Sequence, residues 1–137
     1  MKHILRSGLV LALLPFSALF AQEVKGNRVV AALGPDGIQR VEVIGGSYYF
    51  DPDSIVLKVN VPVELRVKNA GGGTPHSIAC KAPEAGIDFA ASLSNETKII
   101  KFTPTKVGKY PFWCTKKFLF FKSHKDHGMT GVIEVIE

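Results

Sequence analysis

The sequence is poor in the features that most quickly classify a small chain. Two cysteines among 137 residues, Cys80 and Cys114, are too few for a disulfide scaffold and allow one bridge at most. No apolar run reaches the ~20 residues of a membrane-spanning helix. The run GLVLALLPFSALF, residues 8–20, stops at 13 and is interrupted by Pro15. Beyond it no window sustains helical periodicity, so a helix bundle is not expected. Repeats and low-complexity tracts are missing, and GGG at 71–73 has the length of a turn. Charge is not concentrated either. The formal net charge of +5 is spread along the chain, and no nucleic-acid footprint is expected. Nor do the cysteines and histidines sit in the nucleophile, base and oxyanion pattern of a hydrolase.

What is present starts at the N-terminus. MKHILR is basic, the broken apolar run follows, and AQEV comes next, which is the layout of a secretory signal peptide. With cleavage after Ala21, residues 1–21 are the signal and 22–137 a single domain exported to the periplasm. That domain of 116 residues keeps 15 of the 17 Lys and Arg and all 12 Asp and Glu, so it is only mildly basic. Its histidines are His76, His124 and His127. In an oxidising compartment two cysteines invite a bridge, so a Cys80–Cys114 disulfide stands as one alternative. A metal-held thiolate with the other cysteine buried is the second.

Alternation at period two recurs through the domain. In VELRVK, Val63, Leu65 and Val67 point one way and Glu64, Arg66 and Lys68 the other, which describes a strand with one buried face. The same pattern fits 55–59, 97–102 and 131–137, and further runs at 28–33, 38–44, 76–80 and 108–113 bring the expected number to about eight. Gly, Pro, Asn and Asp clusters separate them, as in a two-sheet sandwich or barrel. The segment PEAGIDFAASLSN, 83–95, reads as irregular or as one helical turn.

The chemistry gathers near the end, in FWCTKKFLFFKSHKDHGMTG, residues 112–131. Thiolate and neutral imidazole suit copper and zinc, and a thioether adds a preference for copper as a soft, weak donor. One Cys, two His and one Met make trigonal nitrogen and sulfur ligation with a weak axial sulfur, the arrangement of type 1 electron-transfer copper. The chain holds such a set once: His76 on an early strand, then Cys114, His124 and Met129 on the last loop. Donors split between a strand and a loop let a rigid sandwich, not the metal, set the geometry.

Over residues 46–137 the chain resembles the cupredoxins, the family of plastocyanin, amicyanin and azurin. YYFDPDSIVLKVNVPVELRVKNAGGGTPHSI is similar to the family's first half, with its F-x-P turn, paired strands, terminal Asn and a His after a turn. VGKYPFWC and HGMTGVIEV are similar to the second half, where a Gly-x-Tyr strand delivers the Cys and G-M-x-G opens the last strand. The resemblance implies an all-β Greek-key sandwich holding one copper ion. It also implies His76 and His124 as imidazole ligands, Cys114 as the thiolate and Met129 as the axial sulfur. Further implied are one-electron transfer without catalysis and redox partners such as periplasmic cytochromes or copper enzymes.

Three features depart from the family pattern. Nine residues, TKKFLFFKS, separate Cys114 from His124 where relatives have fewer. FLFF covers the site, lengthens a hairpin, or projects as an apolar patch ringed by lysines. The projecting form suits an acidic-rimmed partner or an anionic membrane surface touched through residues 116–122. His127, three after His124, is a competing imidazole. Were both to bind, the site would resemble the red-copper cupredoxins, with an open position for ligand chemistry. Cys80 stands where a large apolar residue is common, sharing a strand face with His76 and Ile78. A copper-delivery module remains a further alternative, although such modules favour several exposed methionines and the domain has only Met129. Ser77 and Thr115 replace a pair that in relatives clamps the two ligand segments by a hydrogen bond.

Overall fold

Alternation does build the strands. Along Val63–Asn69 the valines and leucine are buried and Arg66 is exposed, so one face of the strand is core and the other meets solvent. The computed structural model describes residues 26–117 and 122–137. The expected signal peptide, 1–21, and the FLFF stretch, 118–121, lie outside the described residues.

Eleven strands follow in chain order: β1 (Arg28–Val30), β2 (Ala32–Leu33), β3 (Gln39–Gly46), β4 (Tyr49–Asp51), β5 (Ser54–Lys58) and β6 (Val63–Asn69). After them come β7 (Ser77–Ala82), β8 (Ile87–Ser92), β9 (Lys98–Phe102), β10 (Gly108–Trp113) and β11 (Thr130–Ile136). One sheet runs β1-β5-β11-β10-β7-β8; the other runs β2-β3-β6-β9, with β4 paired to β3. Both are mixed, with β5 parallel to β1 and β11, and β3 parallel to β6.

The expected number of about eight strands rises to eleven for three reasons. Residues 28–33, expected as one strand, divide at Ala31 into β1 and β2, which join different sheets. A short β4 closes a hairpin on β3. The segment 83–95 gives one 3-10 turn at Pro83–Ala85 and then β8, whose Ile87 and Phe89 are buried between exposed Asp88 and Ala90. That alternation is present in IDFA, but Asp and Ala are poor strand formers and mask it.

Between the sheets lies one core, in which Val43, Ile55, Leu65, Ile78, Phe112 and Ile133 are all within 1 % of full burial. Gln39 links the sheets from inside: its side-chain amide donates to the Lys58 and Val61 carbonyls at 2.8 and 3.0 Å and accepts the Lys58 N–H at 2.8 Å. The Phe112 ring crosses directly over Gly131, where a Cβ would collide with that ring and with the Asp53 carbonyl. The last glycine of G-M-T-G is thus needed for close approach.

Candidate metal centre

Four sequence segments meet at one end of the sandwich. His76 ends the exposed turn 71–75 and enters β7; Cys114 leaves β10; His124 opens a turn over 124–128; Met129 leads into β11. Because β10 pairs with both β7 and β11, the ends of these strands are brought side by side. All four side chains are buried, at 2 % exposure for His76, 1 % for Cys114, 5 % for His124 and 0 % for Met129.

The backbone ties the loop to its neighbours. Cys114 N–H donates to the Met129 carbonyl at 3.1 Å, Met129 N–H to the His124 carbonyl at 3.0 Å, and His124 N–H to the Lys116 carbonyl at 2.9 Å. Cys114, His124 and Met129 are therefore linked through main-chain bonds that do not depend on any ligand.

The donor atoms converge. His76 Nδ1 and His124 Nδ1 are 3.2 Å apart, Cys114 Sγ and His124 Nδ1 3.5 Å apart, and the three donors lie within 4.8 Å of one another. Two imidazole nitrogens facing each other at that distance need a proton or a cation between their lone pairs. Burial, and then the neighbouring His124, hold His76 below the usual imidazole value; burial, and then His127, do the same for His124. Neutral imidazoles are the ligand form. Metal bonds of roughly 2.0–2.3 Å to nitrogen and sulfur are short enough for one ion to bridge these donors. Two imidazoles and a thiol make a set that suits one copper ion.

Around the sulfur the hydrogen bonds are specific. Ser77 N–H donates to Cys114 Sγ at 3.4 Å. The Ser77 hydroxyl lies 2.7 Å from the Thr115 hydroxyl and accepts the Thr115 N–H at 2.9 Å. Ser77 thus clamps the His76 segment to the Cys114 segment, so this pair of hydroxyls keeps the tie that the pair it replaces makes in relatives.

Of the residues singled out from the sequence, His76, Cys114 and His124 form the cluster and Met129 is buried beside it. His127 is exposed outside the cluster, its ring 4.6 Å from that of Tyr48. Cys80 is free, as is Cys114, so the alternative disulfide is not formed. Cys80 pairs with Phe112 across β7 and β10, and burial pushes its thiol up to about 11, with Asp88 and Glu84 adding. It behaves as a small core residue.

Sequence reasoning missed Tyr48. It lies in the two-residue turn between β3 and β4 with φ at 62°, and its ring meets the His124 ring edge-on at 5.2 Å. Nothing in GGSYYF marks it, because its role depends on a hairpin that approaches the last loop only in the folded chain. Lys125, by contrast, sits over the Trp113 ring at 4.9 Å.

No family model and no curated protein matches the chain. Solved structures do. The metal-binding domain of a Cu(I)-exporting P-type ATPase from Streptococcus pneumoniae, solved with Cu(I), is 24 % identical at a TM-score of 0.61. That match covers 82 % of this chain and 99 % of that one. Auracyanin from Roseiflexus castenholzii is 21 % identical at a TM-score of 0.58, over 72 % of this chain and 97 % of its own. The periplasmic domain of cytochrome oxidase subunit II from Bradyrhizobium japonicum is 17 % identical at 0.52, over 72 % and 83 %. Identities this low speak to architecture, and they agree with the strand pairing above: the chain has the cupredoxin fold.

Proposed function

We propose that the protein would hold one copper ion through His76, Cys114, His124 and Met129, and carry single electrons between redox partners. The observation that carries this reading is the buried cluster of two imidazoles and a thiol with donors within 4.8 Å. The likeness to a domain solved with Cu(I) supports copper as the ion. When bound, copper supplies one electron at a time between Cu(I) and Cu(II).

The chain's own part is to keep the donors still. Main-chain bonds hold Cys114 to Met129 and Met129 to His124, the Ser77 hydroxyl holds Thr115, and the Ser77 N–H rests on the sulfur. A hydrogen bond to that sulfur withdraws electron density and raises the potential. Met129 is fully buried and its main chain is bonded to both Cys114 and His124, which supports it as the fourth donor. A carrier, not an enzyme, fits this best. Of the cluster, His124 is the residue that meets the exposed Tyr48 and borders the cavity beside it, which supports its imidazole as the path for electrons to the surface. We further read residues 1–21 as an export signal, the periplasm as the location, and cytochromes or copper enzymes as partners.

Copper delivery is the second reading, favoured by the likeness to an exporter's metal-binding domain. An open shell including His127 is less favoured, because His127 faces solvent. Loading the purified protein with Cu(II) and recording its absorption separates these. An intense visible thiolate band, lost in Cys114→Ser and His124→Ala but kept in His127→Ala, is the expected result; no such band would sink the proposal. Rapid loss of Cu(I) to a weak chelator would move the conclusion to delivery.

A further inference from the structure

Against His124 opens a cavity of about 450 Å3, in the size range of small-molecule sites. Tyr48, His127 and the edge of His124 line it, together with the turn preceding His76 and the side chains of Lys116, Lys117 and Lys122. Among the described residues that line it, three are lysines and none is acidic. Among the described residues none of these lysines makes an ion pair. The acid nearest in sequence, Asp126, is turned to its own loop, accepting the Ser123 N–H at 3.1 Å and the Ser123 hydroxyl at 2.7 Å. Its charge is not directed into the cavity.

The aromatic wall is held at a cost. Tyr48 occupies the left-handed region, φ 62°, which a bulky side chain rarely adopts and which persists where surroundings impose it. That backbone sets the ring edge-on to His124 and tilted by 36° against His127. At 44 % exposure the phenol still leaves part of its surface to the cavity. A flat apolar surface on one side and unpaired ammonium groups on another define the chemistry of what fits. Stacking takes up a planar apolar body, and charge-assisted hydrogen bonds take up its oxyanion. Asp126 offsets part of the Lys122 charge from its own loop, but three lysines brought together still repel, and an anion relieves that. Concavity favours a small molecule over the convex face of a protein.

We propose that this cavity is a binding site for a small planar molecule bearing a carboxylate or other oxyanion, seated against His124. The site is formed by the chain alone, so it does not depend on copper. An anion there would lie beside the imidazole that connects the cluster to the surface.

The test is amide NMR of the metal-free protein titrated with benzoate and, separately, inorganic phosphate, at constant ionic strength with sodium chloride as the control. Saturable shifts at Tyr48, Thr74 and His127 are expected, with benzoate bound at least as tightly as phosphate. Replacing Lys116, Lys117 and Lys122 together by Gln should weaken benzoate by about tenfold or more. Lys125→Gln, outside the cavity, should leave binding unchanged. Should the triple variant fold poorly, Lys122→Gln alone with an intact reference spectrum serves, with a smaller loss expected. Shifts that merely follow ionic strength, or binding that survives removal of the lysines, overturn the site. Phosphate bound more tightly than benzoate overturns the planar part. A protein that binds benzoate but fails to take copper would keep this site while removing the electron-transfer reading.

Discussion

At the scale of single residues, Ser77 does the most with the fewest atoms. One hydroxyl meets the Thr115 hydroxyl and N–H while the backbone N–H above it reaches the Cys114 sulfur. Ser77→Ala leaves a partly buried N–H unpaired, which costs about 1–2 kcal/mol, read as a lower urea midpoint with an unchanged slope. Cys80 makes a pH-dependent prediction. Its thiol titrates near 9.0 when unfolded and at about 11 when folded, so the unfolded chain releases its proton first. The associated stability is complete below 9 and is lost as pH rises toward 11. Comparing unfolding free energies of the wild type and Cys80→Ala across that range isolates the effect. Native Cys80 should also resist thiol reagents at neutral pH until the protein unfolds.

At the scale of elements, what matters is how strands are tied across the two sheets. Gln39 on β3 spans to the chain around β5 with three hydrogen bonds, none longer than 3.0 Å. Gln39→Leu would strand the Lys58 N–H and two carbonyls inside the sandwich. About 1–3 kcal/mol of stability should be lost by chemical denaturation, with the copper-binding spectrum retained because the site is elsewhere. Several element boundaries were readable from alternation: β6, β10 and β11 fall within a residue of the expected 63–68, 108–113 and 131–137. The break between β1 and β2 was not, since RVVAAL carries no Gly or Pro. The chain changes sheet at Ala31, whose N–H goes to the Val56 carbonyl at 3.0 Å, a partner 25 positions away. Likewise β8 begins only after Gly86, at φ 71°, ends the 3-10 turn where a Cβ would meet the Thr103 carbonyl.

At the scale of the whole molecule, the sandwich and its metal end are coupled by mass action. An ion bound to the folded state alone, at a free concentration of 100 times its dissociation constant, adds about 2.7 kcal/mol. The thermal midpoint should therefore rise on copper loading and fall back on chelation, and Cys114→Ser should show a much smaller rise. The fold should survive metal removal, because the Val43, Leu65, Ile78, Phe112 and Ile133 core and the main-chain ties at the loop are independent of it.

The sequence by itself determined the class of fold and the donor types. Period-two burial dictates strands, a short chain with that pattern must close them face to face, and Cys, His and Met near the end carry the soft donors wherever the chain places them. It also carried the resemblance through G-M-T-G, whose last glycine turned out to lie beneath Phe112. Only the tertiary structure decided between the alternatives left open. His124 is buried within 3.2 Å of His76 while His127, three residues on, faces solvent, because the turn at 124–128 directs the two imidazoles to different sides. Cys80 and Cys114 stay apart because strand register sets Cys80 opposite Phe112. Tyr48, the lysine-lined cavity and the Ser77 clamp unite residues as far as 79 positions apart, Tyr48 and His127, and distances of that kind are set by packing, not by any local pattern.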